Sequence, residues 1–391
     1  MWRILSAFFA CLLAVALSRG AAEAQSFQSI APFAYLMDFD SGAALYEKNP
    51  DAPMAPASMS KLMTLELVFR ELKEGRLKLD DEFEVSENAW RTGGAPSHGS
   101  AMFLAVHSKA RVEDLIRGVA VESGNDAAIT LAEGIAGAEQ NFTAMMNKRA
   151  AELGLTHCSF ANPWGKPDPH ERVTAHELAL LAAHLIRDYP EYYHYFGEKE
   201  FTWNRVRQLN RNPLLNMDIG ADGLKTGETA ESGYGLVGSA VQNGQRLIVV
   251  VNGLKTAQER AEEARKLLQW GFRSFDPRTL FQAGDVVGSA EVYGGVKGGV
   301  ALISPRPITV FLTHGSDERL TAKIVYQGPL VAPIEKGVQV ARLKVWRGQT
   351  QILDAPLETG EAVGVGTLQQ RALDAGFELA LELLRKPFTK N

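Results

Sequence analysis

Ala57-Ser58-Met59-Ser60-Lys61-Leu62-Met63-Thr64 is the stretch on which the reading of this chain turns. It contains the only Ser-x-x-Lys in the sequence, with Pro56 before it and an apolar, helix-forming run after it through Phe69. The pattern predicts a helix with Ser58 in its first turn. Lys61 falls one turn on, on the same face, because residues three apart are helix neighbours. A serine hydroxyl is a weak nucleophile until a base takes its proton. A neutral lysine amine can do so only if burial or nearby positive charge lowers its pKa. Alone, the pattern is weak, since Ser-x-x-Lys arises about once by chance in a chain of this length.

Two further motifs give it weight. Ser123-Gly124-Asn125 lies between two helical runs, where a loop is expected, and Lys225-Thr226-Gly227 lies just before a predicted strand. Ser-Gly-Asn and Lys-Thr-Gly each occur once, and the order is Ser-x-x-Lys, Ser-x-Asn, Lys-Thr-Gly. Each residue type suits acyl transfer. Ser58 is the candidate nucleophile and Lys61 its general base. Ser123 is suited to relay a proton to a leaving amine, because a hydroxyl both donates and accepts. Asn125 is suited to hold Lys61 or a substrate amide. Lys225 brings positive charge that depresses the pKa of Lys61, and Thr226 can bond a carboxylate. Gly227 lets a substrate backbone approach the strand edge. Backbone N–H groups of Ser58 and Glu228 are candidates for an oxyanion hole.

The rest of the chain frames these motifs. Its 391 residues allow two or three domains, and a net charge of −5 argues against a nucleic-acid binder. Arg3, the apolar run from Ile4 to Leu17 and Ala22-Glu23-Ala24 read as a signal peptide over residues 1–24, with the mature chain starting at Gln25. Cys158 is then the only cysteine, which excludes an intramolecular disulfide; a buried structural role is expected for it. Alternation from Phe33 to Tyr46 predicts a hairpin turning near Asp40-Ser41-Gly42. Helices are expected from Val112, Asp126, Gln140 and Thr174, the last capped by Thr174 with Glu177 three residues on. Tyr234–Ala240 and Arg246–Val251 read as strands joined at Asn243-Gly244, followed by a helix over Glu259–Trp270. Strands at both ends and a helical middle predict an α/β or α+β domain over 25–275, with the first hairpin joining the later strands in one sheet.

Asp276-Pro277 marks a candidate boundary. From there to residue 364, short β-like runs separated by Gly and Pro predict a small all-β, sandwich-like domain. Residues 365–391 read as an amphipathic tail helix, with Leu373, Phe377, Ala380, Leu384 and Phe388 on one face. Its acidic polar face differs from the Lys/Arg-rich face preferred at anionic lipid, so the pattern alone favours packing on protein.

The motif set is that of active-site serine penicillin-binding proteins and class A β-lactamases. The text around it resembles the D-alanyl-D-alanine carboxypeptidases among the low-molecular-mass penicillin-binding proteins. Gly99-Ser100-Ala101-Met102-Phe103-Leu104, Glu122-Ser123-Gly124-Asn125-Asp126-Ala127, Gln208-Leu209-Asn210-Arg211-Asn212 and Asp222-Gly223-Leu224-Lys225-Thr226-Gly227 carry the likeness. The resemblance covers Phe33 to Phe275 closely and the β-rich remainder more loosely. It implies a serine-acylating catalytic domain of the penicillin-binding protein/β-lactamase type, a β-rich second domain, and a tail helix resting on the inner membrane surface. The implied partners are peptidoglycan stem pentapeptides and β-lactam antibiotics; no metal or organic cofactor is implied, and the implied location is the periplasm. Arg211 and Arg260 match family positions near the cleft, and cationic groups suit a substrate ending in a carboxylate. Where some relatives have His after Lys-Thr-Gly, this chain has Glu228. The competing readings are a DD-endopeptidase, a β-lactamase and a non-catalytic wall-binding protein.

Overall fold

The structure, a computed structural model, describes residues 27–313 and 319–372. The expected signal peptide lies outside these residues, as does the tail helix beyond the short helical stretch 368–372.

The chain opens with the expected hairpin, β1 (Phe33–Asp38) and β2 (Ala44–Lys48). A 3-10 turn (Ala57–Ser60) then runs directly into α1 (Lys61–Lys73). Next come a small ribbon of β3 (Glu82–Glu84) and β4 (Lys109–Arg111), then α2 (Val112–Arg117), α3 (Asn125–Ala136), α4 (Glu139–Glu152), α5 (Ala175–Asp188) and the short α6 (Pro190–Tyr193). A second ribbon, β5 (Glu200–Trp203) and β6 (Val206–Leu209), precedes three long strands: β7 (Ala221–Thr229), β8 (Gly233–Gln242) and β9 (Gln245–Leu254). The long helix α7 (Ala257–Ser274) follows.

The two ends meet in one antiparallel sheet of order β2-β1-β9-β8-β7. Both faces of its centre are covered, which is why β9 reads as an unbroken apolar run. Leu36, Leu247, Val249 and Val251 pack toward Ala264, Leu267 and Leu268 of α7. Tyr35, Met37, Ile248 and Val250 pack into the larger core built from α1, α3 and α5. Each fully buried aliphatic side chain here contributes about 1.5–3 kcal/mol. Thr174 and Thr256 cap α5 and α7, accepting from the Glu177 and Glu259 N–H groups at 3.1 and 3.0 Å.

One expectation needs extending. Lys225-Thr226-Gly227 precedes the predicted strand, β8, but also lies within a strand of its own, β7, the sheet edge, paired with β8 from Ala221↔Ala240 to Thr229↔Gly233 with a bulge between Ala221 and Gly223. Glycines and charges hide this strand in the sequence. Pairing with β8, not local propensity, makes it extended.

Asp276-Pro277 falls inside β10 (Phe275–Phe281), so α7 passes into the second unit without a linker. The remaining strands are β11 (Val286–Tyr293), β12 (Gly299–Ile303), β13 (Ile308–Thr313), β14 (Leu320–Tyr326), β15 (Leu330–Val331), β16 (Gln339–Arg347) and β17 (Thr350–Thr359). β10 pairs with β13, and the others form a sheet of order β14-β16-β17-β12-β11-β15. Val300, Leu302, Val310, Leu343, Val345 and Leu357 share its core.

Candidate active site

Ser58 sits not in an α-helix but in the 3-10 turn just before one. Ala57, before it, is held at φ 49°, a left-handed conformation unusual for alanine. Two glycines clamp this turn. A Cβ on Gly165, itself at φ +84°, would lie 2.1 Å from the Ala57 carbonyl oxygen. A Cβ on Gly227 would lie 2.7 Å from the Pro56 carbonyl oxygen and 3.2 Å from Ala57 Cβ. The expected role for Gly227, access for a substrate backbone, is therefore joined by a structural one: the back of β7 closes on the Ser58 turn.

Lys61 opens α1 and is fully buried. Its Nζ lies 2.8 Å from Ser58 Oγ, 2.7 Å from Asn125 Oδ1 and 2.6 Å from the Trp164 carbonyl oxygen. Burial, then the Lys225 ammonium, hold its pKa well below the ordinary lysine range; Glu171 and Asp126 pull the other way. Lys225 is itself buried and lowered to about 7, by burial and then by Arg211 and Arg260.

Ser123 takes φ 65° at the end of a π turn (Gly118–Glu122). Its buried Oγ has no hydrogen-bond partner among the described residues and faces the cleft. The loop is held by Asp126, whose carboxylate accepts from the Met102 and Leu104 N–H groups at 2.8 and 3.0 Å. Asn125 N bonds Ser100 O at 2.8 Å, so the stretch Ser100–Leu104 is tied to this loop.

A cleft of about 440 Å³ runs between this loop and β7, with Ser58, Ser123, Asn125, Thr226, Glu228, Arg211 and Arg260 on its walls. Lys61 and Lys225 lie behind those walls. Arg260 is mostly buried, with Nε unpartnered among the described residues and its guanidinium 5.6 Å from the Tyr234 ring centre. Arg211 instead pairs with Glu122. Glu228 faces Tyr234 across β7 and β8, and its carboxylate raises the pKa of the phenol it bonds. All ten residues singled out in the sequence thus converge on one site. The reading missed the Trp164 carbonyl, Glu122, Asp126, Glu171 and Tyr234. A backbone carbonyl leaves no mark in residue type. Glu122 and Asp126 stand in the quoted stretch around Ser123 but were given no role there, and Glu171 and Tyr234 belong to none of the motifs.

A half-buried serine bonded to a fully buried lysine, in a sheet-and-helix fold with an Asn loop and a cationic edge strand, defines a serine acyl-transfer site of the penicillin-binding protein/β-lactamase type. Comparison with known proteins narrows the class. Residues 20–256 match the model of the D-alanyl-D-alanine carboxypeptidase family, and residues 275–365 match the penicillin-binding protein 5 C-terminal domain. The chain belongs to the D-alanyl-D-alanine carboxypeptidase family. It is 40% identical over 342 residues to D-alanyl-D-alanine carboxypeptidase DacC of Escherichia coli, covering 87% of this chain and 86% of that one. Penicillin binding protein 5 from Haemophilus influenzae superposes with a TM-score of 0.76 at 38% identity, over 86% of this chain and 98% of that one. A Listeria monocytogenes penicillin-binding protein solved in its ampicillin-bound form matches at 30% identity and TM-score 0.55, over 63% of this chain and 99% of that one.

Proposed function

We propose that this protein cleaves the terminal D-alanine from peptidoglycan stem pentapeptides through an acyl-enzyme on Ser58, and that β-lactams acylate the same oxygen. The observation that carries this is the contact between Lys61 Nζ and Ser58 Oγ inside a buried, cationic pocket. Ser58 Oγ attacks the carbonyl of the D-Ala–D-Ala bond while Lys61 takes its proton. The Ser58 and Glu228 N–H groups receive the developing oxyanion. Ser123 passes a proton to the departing amine as the C–N bond breaks, and water then hydrolyses the ester. Thr226 and Arg260, with Arg211 beyond, bind the terminal carboxylate. Serine-type D-Ala-D-Ala carboxypeptidase activity is the reading favoured over endopeptidase, β-lactamase or wall-binding roles. Fluorescent penicillin should label the protein and a model pentapeptide should release D-alanine, both lost in Ser58→Ala. Labelling that survives in Ser58→Ala would sink the assignment.

The working chain is proposed to start at Gln25 after export, with the catalytic domain to 275, the β-rich domain over 276–364 and the tail over 365–391. Peripheral attachment to the outer face of the cytoplasmic membrane is proposed for the tail, on family resemblance. No described helix is long and apolar enough to cross a membrane. Deleting residues 367–391 should release the protein from membranes with activity intact; unchanged membrane association would refute this.

A further inference from the structure

Glu171 belongs to none of the motifs, yet among the groups acting on Lys61 it is the one that most favours the charged amine. It lies on the segment between α4 and α5, which passes beneath the Ser58 turn. Its backbone is fixed by bridges at Ser159↔Arg172 and Met54↔Val173, and its side chain is 2% exposed. Oε2 accepts from Asn162 Nδ2 at 2.8 Å. Asn162 Oδ1 in turn accepts from the N–H groups of Trp164, Gly165 and Lys166 at 3.2, 2.8 and 2.9 Å. The carbonyl of that same Trp164 is the one on Lys61. A single path therefore runs from one carboxyl through one amide and one loop to the catalytic amine.

The other carboxyl oxygen, Oε1, has no hydrogen-bond partner among the described residues. Ser60 Oγ lies close enough to influence the acid but gives its proton to Ala57 O at 3.0 Å. Ser60, two residues past Ser58, is thus buried in this second layer. An ionised carboxylate so poorly solvated is costly. Burial accordingly raises Glu171 to about 8. The charged groups around it are Lys61 across the turn, Asp168 and Lys166 on its own segment, and Glu231 beyond Thr229.

We propose that Glu171 is a positioning residue for acylation: through Asn162 it holds the Trp164 carbonyl on Lys61, and it shares with that lysine the last proton the buried site must lose before Lys61 is a free amine. The proposal rests on Lys61 being the base. Rising pH only removes protons from the pair. A Glu171 carboxylate favours the ammonium over the free amine, so it moves release of the lysine's proton to higher pH.

The test is the acylation rate at saturating fluorescent penicillin, so that changes in binding do not enter, followed from about pH 6 to about pH 10 on the full chain. The wild-type rate should rise with pH to a plateau as the pair gives up its last proton. In Glu171→Gln, which keeps an acceptor for Asn162 and cannot ionise, that rise should move to lower pH with the plateau kept. In Glu171→Ala, which has no acceptor, the rise should move likewise and the plateau should drop by about tenfold. Asn162→Ala should lower the plateau while keeping the wild-type rise. Gln and Ala variants that lower the rate equally with an unchanged profile, or that leave both rate and profile unchanged, would overturn the proposal. A wild-type protein that penicillin does not label would instead overturn the carboxypeptidase reading.

Discussion

Lys61 Nζ and Ser58 Oγ are 2.8 Å apart, and among the described residues the Ser58 hydroxyl is the only partner of that amine that can itself donate a hydrogen. The other two partners, an amide oxygen and a backbone carbonyl, only accept. A neutral amine has two hydrogens and one lone pair. The two acceptors take the hydrogens, which leaves the lone pair for the Ser58 proton. The site is thus built around the uncharged form of the lysine, in keeping with its depressed pKa.

Lys61→Met should therefore lower penicillin acylation by roughly a hundredfold to ten-thousandfold, the usual worth of a general base. Stopped-flow labelling would measure it, with circular dichroism to confirm folding. A loss under about tenfold would mean another group takes the Ser58 proton.

Asn125→Ala removes one of the two pure acceptors and frees the lysine to rotate. Leaving that buried N–H without a partner costs about 1–3 kcal/mol, so acylation should slow by about five- to a hundredfold. The same assay reads this out.

Gly227→Ala places a methyl group against Pro56 O, 2.7 Å away, on the turn that carries the nucleophile. Overpacking of this kind costs about 1–3 kcal/mol. Lower thermal stability and slower acylation should appear together in a melting curve and a labelling time course. A variant with wild-type values in both would show that β7 can move back without disturbing Ser58.

Arg260 and Arg211 should separate in a steady-state assay. Arg260 is held on Tyr234 with Nε unpartnered, ready for a carboxylate, whereas Arg211 already pairs with Glu122. Arg260→Ala should raise KM for a pentapeptide by about tenfold or more, and Arg211→Ala by less, with kcat changed little in either.

Lys225 gives a pH dependence whose sign follows from linkage. Its folded pKa of about 7 lies below the value of about 10.4 expected in the unfolded chain. Between these values the unfolded state holds one more proton than the native state, so this group's destabilising effect is full below about 7 and fades as pH rises toward 10.4. Lys225→Met should raise stability at neutral pH by an amount that shrinks as pH rises. Denaturant melts at several pH values would check the trend.

Much of the site was open to reading from residue type and spacing. Ser58 and Lys61 share a helix face by position alone, and Ser123-Gly124-Asn125 sits where a helical run must break. The hairpin near Asp40 and the turn at Asn243-Gly244 are visible because alternation and φ > 0 turn residues are local signals. Thr174 is a cap for the same reason.

What escaped has one cause: it depends on partners distant in the chain. Lys225-Thr226-Gly227 looks unlike a strand and becomes one by pairing with β8. Glu171 reads as an ordinary loop acid until the segment between α4 and α5 folds beneath the Ser58 turn. The sequence by itself determined the candidate reacting groups, their order and the class of fold, because these follow from side-chain chemistry and short-range periodicity. Only the tertiary structure decided that Lys61 is fully buried and that the Trp164 carbonyl takes one of its hydrogens. Burial and the direction of a backbone carbonyl exist only once distant segments have packed together, and they are what fit Ser58 and Lys61 for the proposed roles of nucleophile and base.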